Sequence, residues 1–234
     1  MPTPRRIFLL SPASCGGQRA RLLFDRRARF DLARALRTAA GVPLGQVFSF
    51  LSGLYFRGKL EYAHTYARPP DGAPGVLVMT AGAGLCVPEM PVQLDLLERW
   101  AGIPIDTREM RYTEPLLRDA RALRSGIPDH SCEVVLLGSV ATGKYVDLLQ
   151  GVFGHRLMFP AEFVGRGDMS RGGLLLRSAR DRCELTYLPV AGAVRRGVRP
   201  ARLVPRPGIL GPTEERSLSI RKARVTSGAP RRRR

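Results

Sequence analysis

Glu133-Val-Val-Leu-Leu137-Gly138-Ser-Val-Ala-Thr-Gly143-Lys144-Tyr145 is the stretch whose reading decides the fold. Glu133–Leu137 is too short and too apolar for a surface helix, and Gly138 bounds it, so it reads as a buried strand. Thr142–Phe153 reads as the helix that follows. The same grammar recurs upstream. Ile7–Leu10 is a short strand ended by Ser11-Pro12, and Val76–Thr80 is another, followed by the Gly-containing turn Ala81–Leu85. Short apolar strands alternating with helices predict an α/β domain with a mainly parallel or mixed central sheet flanked by helices.

Outward from these strands, a helix is expected from Gln18 to Arg37, whose apolar residues Leu22, Leu23, Phe30, Leu32, Ala33 and Leu36 roughly recur at helical spacing. Val47–Leu51 is ambiguous. Leu54–Ala67 is a helix, with Tyr55, Phe56, Leu60, Ala63 and Tyr66 as inner positions. Val92–Trp100 and Thr113–Arg124 are helices, the latter capped by Thr113 with Pro115 in its tolerant first turn. Arg156–Phe159 is a fourth strand, Asp168–Arg177 a helix and Glu184–Val190 an edge strand. From Ala193 onward the pattern dissolves into prolines and arginines. Residues 1–194 are therefore read as one α/β domain and residues 195–234 as a disordered basic tail.

The chain has 234 residues, 44% apolar and 25% charged, which suits one globular domain, and no apolar run reaches the ~18 residues of a membrane helix. The net charge is +18, and it sits at the ends. Residues 1–37 carry nine Arg against Asp25 and Asp31. Residues 195–234 carry thirteen basic residues against Glu214 and Glu215, and the middle is neutral. Basic ends favour a polyanion such as nucleic acid. Coding bias accounts for the same numbers, since only Lys59, Lys144 and Lys222 among the 38 basic residues are lysine. Cys15, Cys86, Cys132 and Cys183 are far apart, with no C-x-x-C pair. A zinc site is not expected, and a reducing cytoplasm is the simpler setting. Four apolar residues after Arg5-Arg6 are too few for a signal segment.

Parallel sheets place binding groups at the carboxyl ends of their strands. Three such ends here, Ser11–Gly17, Thr80–Leu85 and Gly138–Lys144, are small, polar or Gly-rich. Gly138 through Gly143-Lys144-Tyr145 nearly spells a phosphate-binding loop, but Tyr145 stands where a magnesium-holding Ser or Thr belongs, so NTP hydrolysis is disfavoured. Amides at that helix start still suit a phosphate. Gly165-Arg166-Gly167-Asp168-Met169-Ser170-Arg171 offers two guanidinium forks for phosphate, and Asp168 to orient an Arg or act as a base. It reads equally as a Gly-rich helix entry with a local ion pair. Ser14-Cys15-Gly16-Gly17 can present a nucleophile, yet His64, His130 and His155 are all remote, and a packed turn is the simpler reading. Tyr55-Phe56-Arg57-Gly58-Lys59 alternates aromatics and cations as single-strand binders do, or forms a half-buried helix on which Tyr55, Lys59 and Tyr62 share a face.

Four of these pieces, in order, resemble the YaaA family of peroxide-stress proteins. Leu10-Ser11-Pro12-Ala13-Ser14 is similar to its opening I-S-P-A-K, with the Lys lost. Leu51-Ser52-Gly53-Leu54-Tyr55 matches its L-S-G-L-Y by letters, and Thr80-Ala81 through Pro88 matches by position after a strand. Val140-Ala141-Thr142-Gly143-Lys144-Tyr145 resembles L-A-S-x-E-Y with Lys144 in place of the acid. Gly165–Arg171 resembles A-R-G-x-M-x-R. The resemblance implies an α/β fold with a basic cleft, DNA binding, and protection from peroxide and iron-driven DNA damage. The lost Lys and the Glu-to-Lys exchange put a family activity in doubt.

The expected function is thus cytoplasmic nucleic-acid (DNA) binding. Arg166, Arg171 and Lys144 would contact phosphate, with Tyr145 stacking and Gly138, Gly143, Ser11, Ser14 and Gly16 lining the cleft. The alternative is an enzyme acting on a nucleotide or nucleobase in the same cleft, with Asp168 as acid/base. No metal, cofactor or membrane is expected.

Overall fold

The computed structural model describes residues 4–127 and 132–204. Residues 1–202 form one unit and 203–234 another. Most of the expected tail, residues 205–234, and His130 lie outside the described residues.

Along the chain, strand β1 (Arg5–Leu10) leads to helices α1 (Gln18–Phe24) and α2 (Asp31–Ala35), then strand β2 (Val42–Pro43) and helices α3 (Leu44–Ser52) and α4 (Leu54–Tyr66). Strands β3 (Val76–Met79), β4 (Leu85–Cys86) and β5 (Pro91–Val92) follow, then helices α5 (Leu94–Ala101) and α6 (Met110–Gly126). Strand β6 (Cys132–Leu137), helix α7 (Gly143–Phe153), strand β7 (Leu157–Pro160), helix α8 (Asp168–Asp181) and strand β8 (Tyr187–Pro189) complete it.

The fold is α/β. Six strands form one mixed sheet in the order β4-β3-β1-β6-β7-β8, and β2 pairs with β5 apart from it. The inner strands β3, β1, β6 and β7 are mutually parallel, while β4 and β8 run antiparallel at the edges. Pairing of Ile7 with Val134 and of Leu10 with Leu137 sets the central register. A parallel sheet is covered on both faces, so its strands are continuous apolar runs. The alternation of β1 decides which face each residue serves. Phe8 and Leu10 pack with Leu23, Phe48, Phe56, Tyr62 and Leu175 from α1, α3, α4 and α8. Ile7 and Leu9 pack on the other face with Tyr112, Leu116, Val146 and Leu149 from α6 and α7.

The single helix expected over Gln18–Arg37 is two short ones. The Asp25 carboxylate accepts the Arg27 amide at 2.8 Å, a local turn that competes with helix, and Arg37 donates to the carbonyls of Leu23 and Asp25 at 3.1 and 2.9 Å. Helix α6 begins a turn before Thr113. Its cap is Glu109, whose carboxylate accepts the Arg111 amide, so Pro115 lies inside the helix. The ambiguous Val47–Leu51 belongs to α3, and β8 is the expected edge strand.

Candidate functional site

Adjacent strands β1 and β6 send their chains to opposite faces of the sheet, β1 toward α1 and β6 toward α7. Ligands of open α/β sheets bind in the crevice at such a reversal, outside the carboxyl ends of the strands. Here the two ends are tied, with the Ser11 amide donating to the Leu137 carbonyl at 3.1 Å. The approach is close, since a Cβ at Gly138 would sit 3.0 Å from the Ser11 Cβ and one of the two would have to give way by a few tenths of an ångström.

Over this crevice lies a cavity of about 650 Å³. Its floor and one wall are the turn Ser11–Gly17. Ala81 follows β3, and Ser139, Lys144 and Tyr145 follow β6. The three strand ends singled out in the sequence therefore meet at one pocket. Aromatic walls come from Tyr55 on α4, Phe48 on α3 and Trp100 on α5, and Arg19 and Asp168 reach the rim. The volume falls in the range of small-molecule sites.

Of the sequence-selected residues, Ser11, Ser14, Gly16, Lys144, Tyr145 and Asp168 line this pocket. Ser14 is exposed, and its hydroxyl accepts the Gly16 amide at 3.3 Å. Lys144 is half-buried, its ammonium 5.0 Å from the centre of the Tyr145 ring. Gly143 opens α7 beside the Asp147 carboxylate, which a Cβ would strike. Arg166 and Arg171 do not line the pocket. Arg171 is buried, and its guanidinium donates to the Phe163 carbonyl at 3.0 and 3.3 Å. It also lies 3.7 Å from the Asp168 carboxylate, whose side chain is 69% exposed. Arg166 donates to the Ser170 hydroxyl at 3.2 Å. Both arginines thus brace the start of α8, and Asp168 projects from that start into the pocket.

The two described histidines stay away. His64 lines a separate hollow with Arg57 and Glu61, and His155 is exposed. Burial pushes the Cys15 thiol up to about 11, the reverse of an activated nucleophile.

The sequence put Lys59 on a helix face with Tyr55 and Tyr62 but did not assign it to the crevice. Its side chain is 1% exposed beneath the pocket, and its Nζ lies 2.9 Å from the Ser11 Oγ and donates to the Ser11 carbonyl at 2.5 Å. The rings of Tyr55 and Phe56 flank it at 4.6 and 4.8 Å. Burial pulls its ammonium down to about 7, a fall that Asp168 partly opposes. The Tyr55 hydroxyl is buried at the pocket without a hydrogen bond of good geometry, and burial raises its pKa. The signal for Lys59 was compositional. In a chain that writes nearly every cation as Arg, two of its three lysines, Lys59 and Lys144, stand at this crevice.

Among the described residues no group of His, Cys, Asp and Glu is placed to hold a metal, and no helix is long and apolar enough to cross a membrane. Compared with protein-family models, curated proteins and solved structures, the chain matches none.

Proposed function

We propose that this chain binds a nucleotide in the β1/β6 crevice and acts on it as a hydrolase- or glycosylase-type enzyme, with Asp168 as the acid/base group. The observation that carries this reading is the combination at one concave site of aromatic walls, Tyr55, Tyr145 and Trp100, with the cationic groups Lys144 and Arg19. Aromatic faces take a base, and a cation beside open backbone amides takes a phosphate. Asp168, mostly exposed at the same rim, is within the reach of a bound sugar or leaving group. Thermal melting against a panel of nucleosides and nucleotides tests it. At least one nucleotide raises the Tm, and that shift is lost in Asp168→Asn. No shift across the panel sinks the reading.

A second reading, nucleic-acid binding, is favoured by one observation. Arg19 lines the pocket and begins a run of exposed arginines, Arg21 on α1, Arg26, Arg27 and Arg29 in the connection, and Arg34 on α2. A strand laid along that run would bring one nucleotide to the pocket. The YaaA resemblance supports this reading and implies its setting, protection of DNA from peroxide. Fluorescence anisotropy of a single-stranded DNA oligomer across a salt series checks it. Binding should weaken steeply with salt and flatten in the triple variant Arg21→Gln, Arg26→Gln, Arg27→Gln. Equal binding by that variant counts against it.

A further inference from the structure

The pocket wall presents the Ser11 hydroxyl with a buried amine, Lys59, behind it, an arrangement that suits more than binding. Ser11 is the first residue beyond β1 and lines the cavity, while Lys59 approaches it from beneath, on α4. The Nζ has two polar partners, the carbonyl and the hydroxyl of this one residue, at 2.5 and 2.9 Å. In the structure the Nζ donates to both oxygens. Once it has lost a proton, the uncharged amine can keep one N–H on the carbonyl and turn its lone pair to the hydroxyl proton. An ammonium has three N–H groups and no lone pair. A guanidinium never gives up its proton in a protein, so an arginine cannot serve as a base here. That distinction gives a chemical reason for a lysine at this point in an arginine-rich chain.

We propose that Ser11 is the nucleophile toward the phosphoester of a nucleotide bound in this pocket, with Lys59 the base that takes its proton. The inference rests on the nucleotide reading above and adds the bond that breaks. The Ser11 Oγ–phosphorus bond forms as the phosphorus–oxygen bond to the leaving group breaks. The Ser11 proton passes to Lys59, and the departing oxygen, in line and opposite Ser11, takes a proton from the Asp168 carboxyl at the rim and leaves as a hydroxyl. Water next attacks the phosphoserine from that same side, giving its proton to Asp168, while Lys59 returns its proton to the Ser11 Oγ as the Oγ–phosphorus bond breaks and phosphate leaves. Lys144 lines the same cavity and supplies a positive charge for the phosphoryl oxygens. The Tyr55 hydroxyl, buried at the same wall without a good partner, can donate to one of those oxygens. The charge that acts on Lys59 is Asp168 of α8, while Arg171 of the same helix acts on the neighbouring Tyr55, and the Tyr145 phenol faces the same space from α7. Burial is the largest influence and favours the free base near neutral pH.

A fluorophosphonate probe, an electrophile at phosphorus with fluoride as leaving group, tests the pair on the full chain. One adduct is expected by intact mass, mapping to Ser11 and absent from Ser11→Ala. The labelling rate should rise with a midpoint near pH 7 and fall at least about 100-fold in Lys59→Met. Should Lys59→Met fail to fold, as judged by its melting curve, the pH–rate profile of the unaltered chain still decides. An adduct elsewhere, no adduct, or a rate indifferent to pH between 5 and 9 overturns the proposal. AMP separates the two readings. Labelling of Ser11 that AMP does not slow keeps the pair but sinks nucleotide binding, whereas AMP binding without labelling sinks the pair alone.

Discussion

Gly58 of α4 and Gly172 of α8 meet backbone to backbone. A Cβ on Gly58 would lie 2.6 Å from the Gly172 carbonyl oxygen, and one on Gly172 would lie 2.8 Å from the Leu54 carbonyl oxygen. This approach brings Tyr55 and Lys59, on one helix, against Asp168 and Arg171, on the other. The site's chemistry depends on the contact of these two helices as much as on the strand ends.

Gly58→Ala is therefore expected to destabilise the fold by about 2 kcal/mol, because the clash with backbone outweighs the roughly 1 kcal/mol that alanine gains in a helix interior. Denaturant unfolding checks this. A variant as stable as the parent would mean that the helices separate freely, and the assigned contact would be wrong.

Stability should also depend on pH through Lys59. Its folded pKa, about 7, lies below the ordinary 10.5, so between those values the unfolded chain binds more protons at this residue. Stability from this group then rises with pH through that window, by at most about 1.4 kcal/mol per pH unit, and is lost as pH falls through 7. The difference in unfolding free energy between the parent and Lys59→Met, followed from pH 6 to 10, isolates it. A difference that stays flat would show that Lys59 remains charged in the fold.

Trp100 is the chain's one tryptophan, and it lines the pocket. Nucleotide binding should change its fluorescence in a saturable way. Trp100→Phe abolishes the signal while calorimetry still detects binding. A nucleotide that binds by calorimetry and leaves the fluorescence unmoved would occupy some other surface.

Lys144 and Arg171 should separate under substitution. Lys144 lines the cavity, so Lys144→Gln weakens a phosphate-bearing ligand by roughly tenfold, about 1.4 kcal/mol, with little change in Tm. Arg171 is buried on the Phe163 carbonyl, so Arg171→Gln lowers the Tm first. The reverse pattern would reassign their roles.

At the amino end of the sheet, far from the crevice, Arg6 is 6% exposed between Glu133 and Glu184 at 2.6 and 2.5 Å, and Arg68 joins Glu184 at 2.8 Å. Glu184→Gln leaves a buried guanidinium short of charge and should cost about 1–3 kcal/mol, discounted because the carboxylate is partly exposed. Nucleotide binding should survive it. Loss of binding at unchanged stability would show that the two ends of the sheet are coupled.

Much of this molecule is written locally. The runs Ile7–Leu10, Val76–Met79 and Val134–Leu137 are apolar and end in turn residues, so strand and crevice edge can be read from a few adjacent letters. The break at Asp25 was not legible. An Asp side chain can satisfy a neighbouring amide or face solvent within a helix, and the Arg37 guanidinium that holds the turn comes from twelve residues away. The roles of Arg166 and Arg171 were equally open, since a guanidinium near glycines serves a phosphate or a carbonyl with the same geometry.

The sequence alone determined the α/β architecture and the three strand ends that meet at the pocket, because periodicity and turn chemistry act between near neighbours. Only the tertiary structure decided that Lys59 lies against Ser11, 48 residues earlier, and that Arg171 turns inward. Such pairings depend on how helices cross a sheet, here on the close approach of α4 and α8 at two glycines. Burial, which changes what an amine or a guanidinium can do, exists only once those helices have packed.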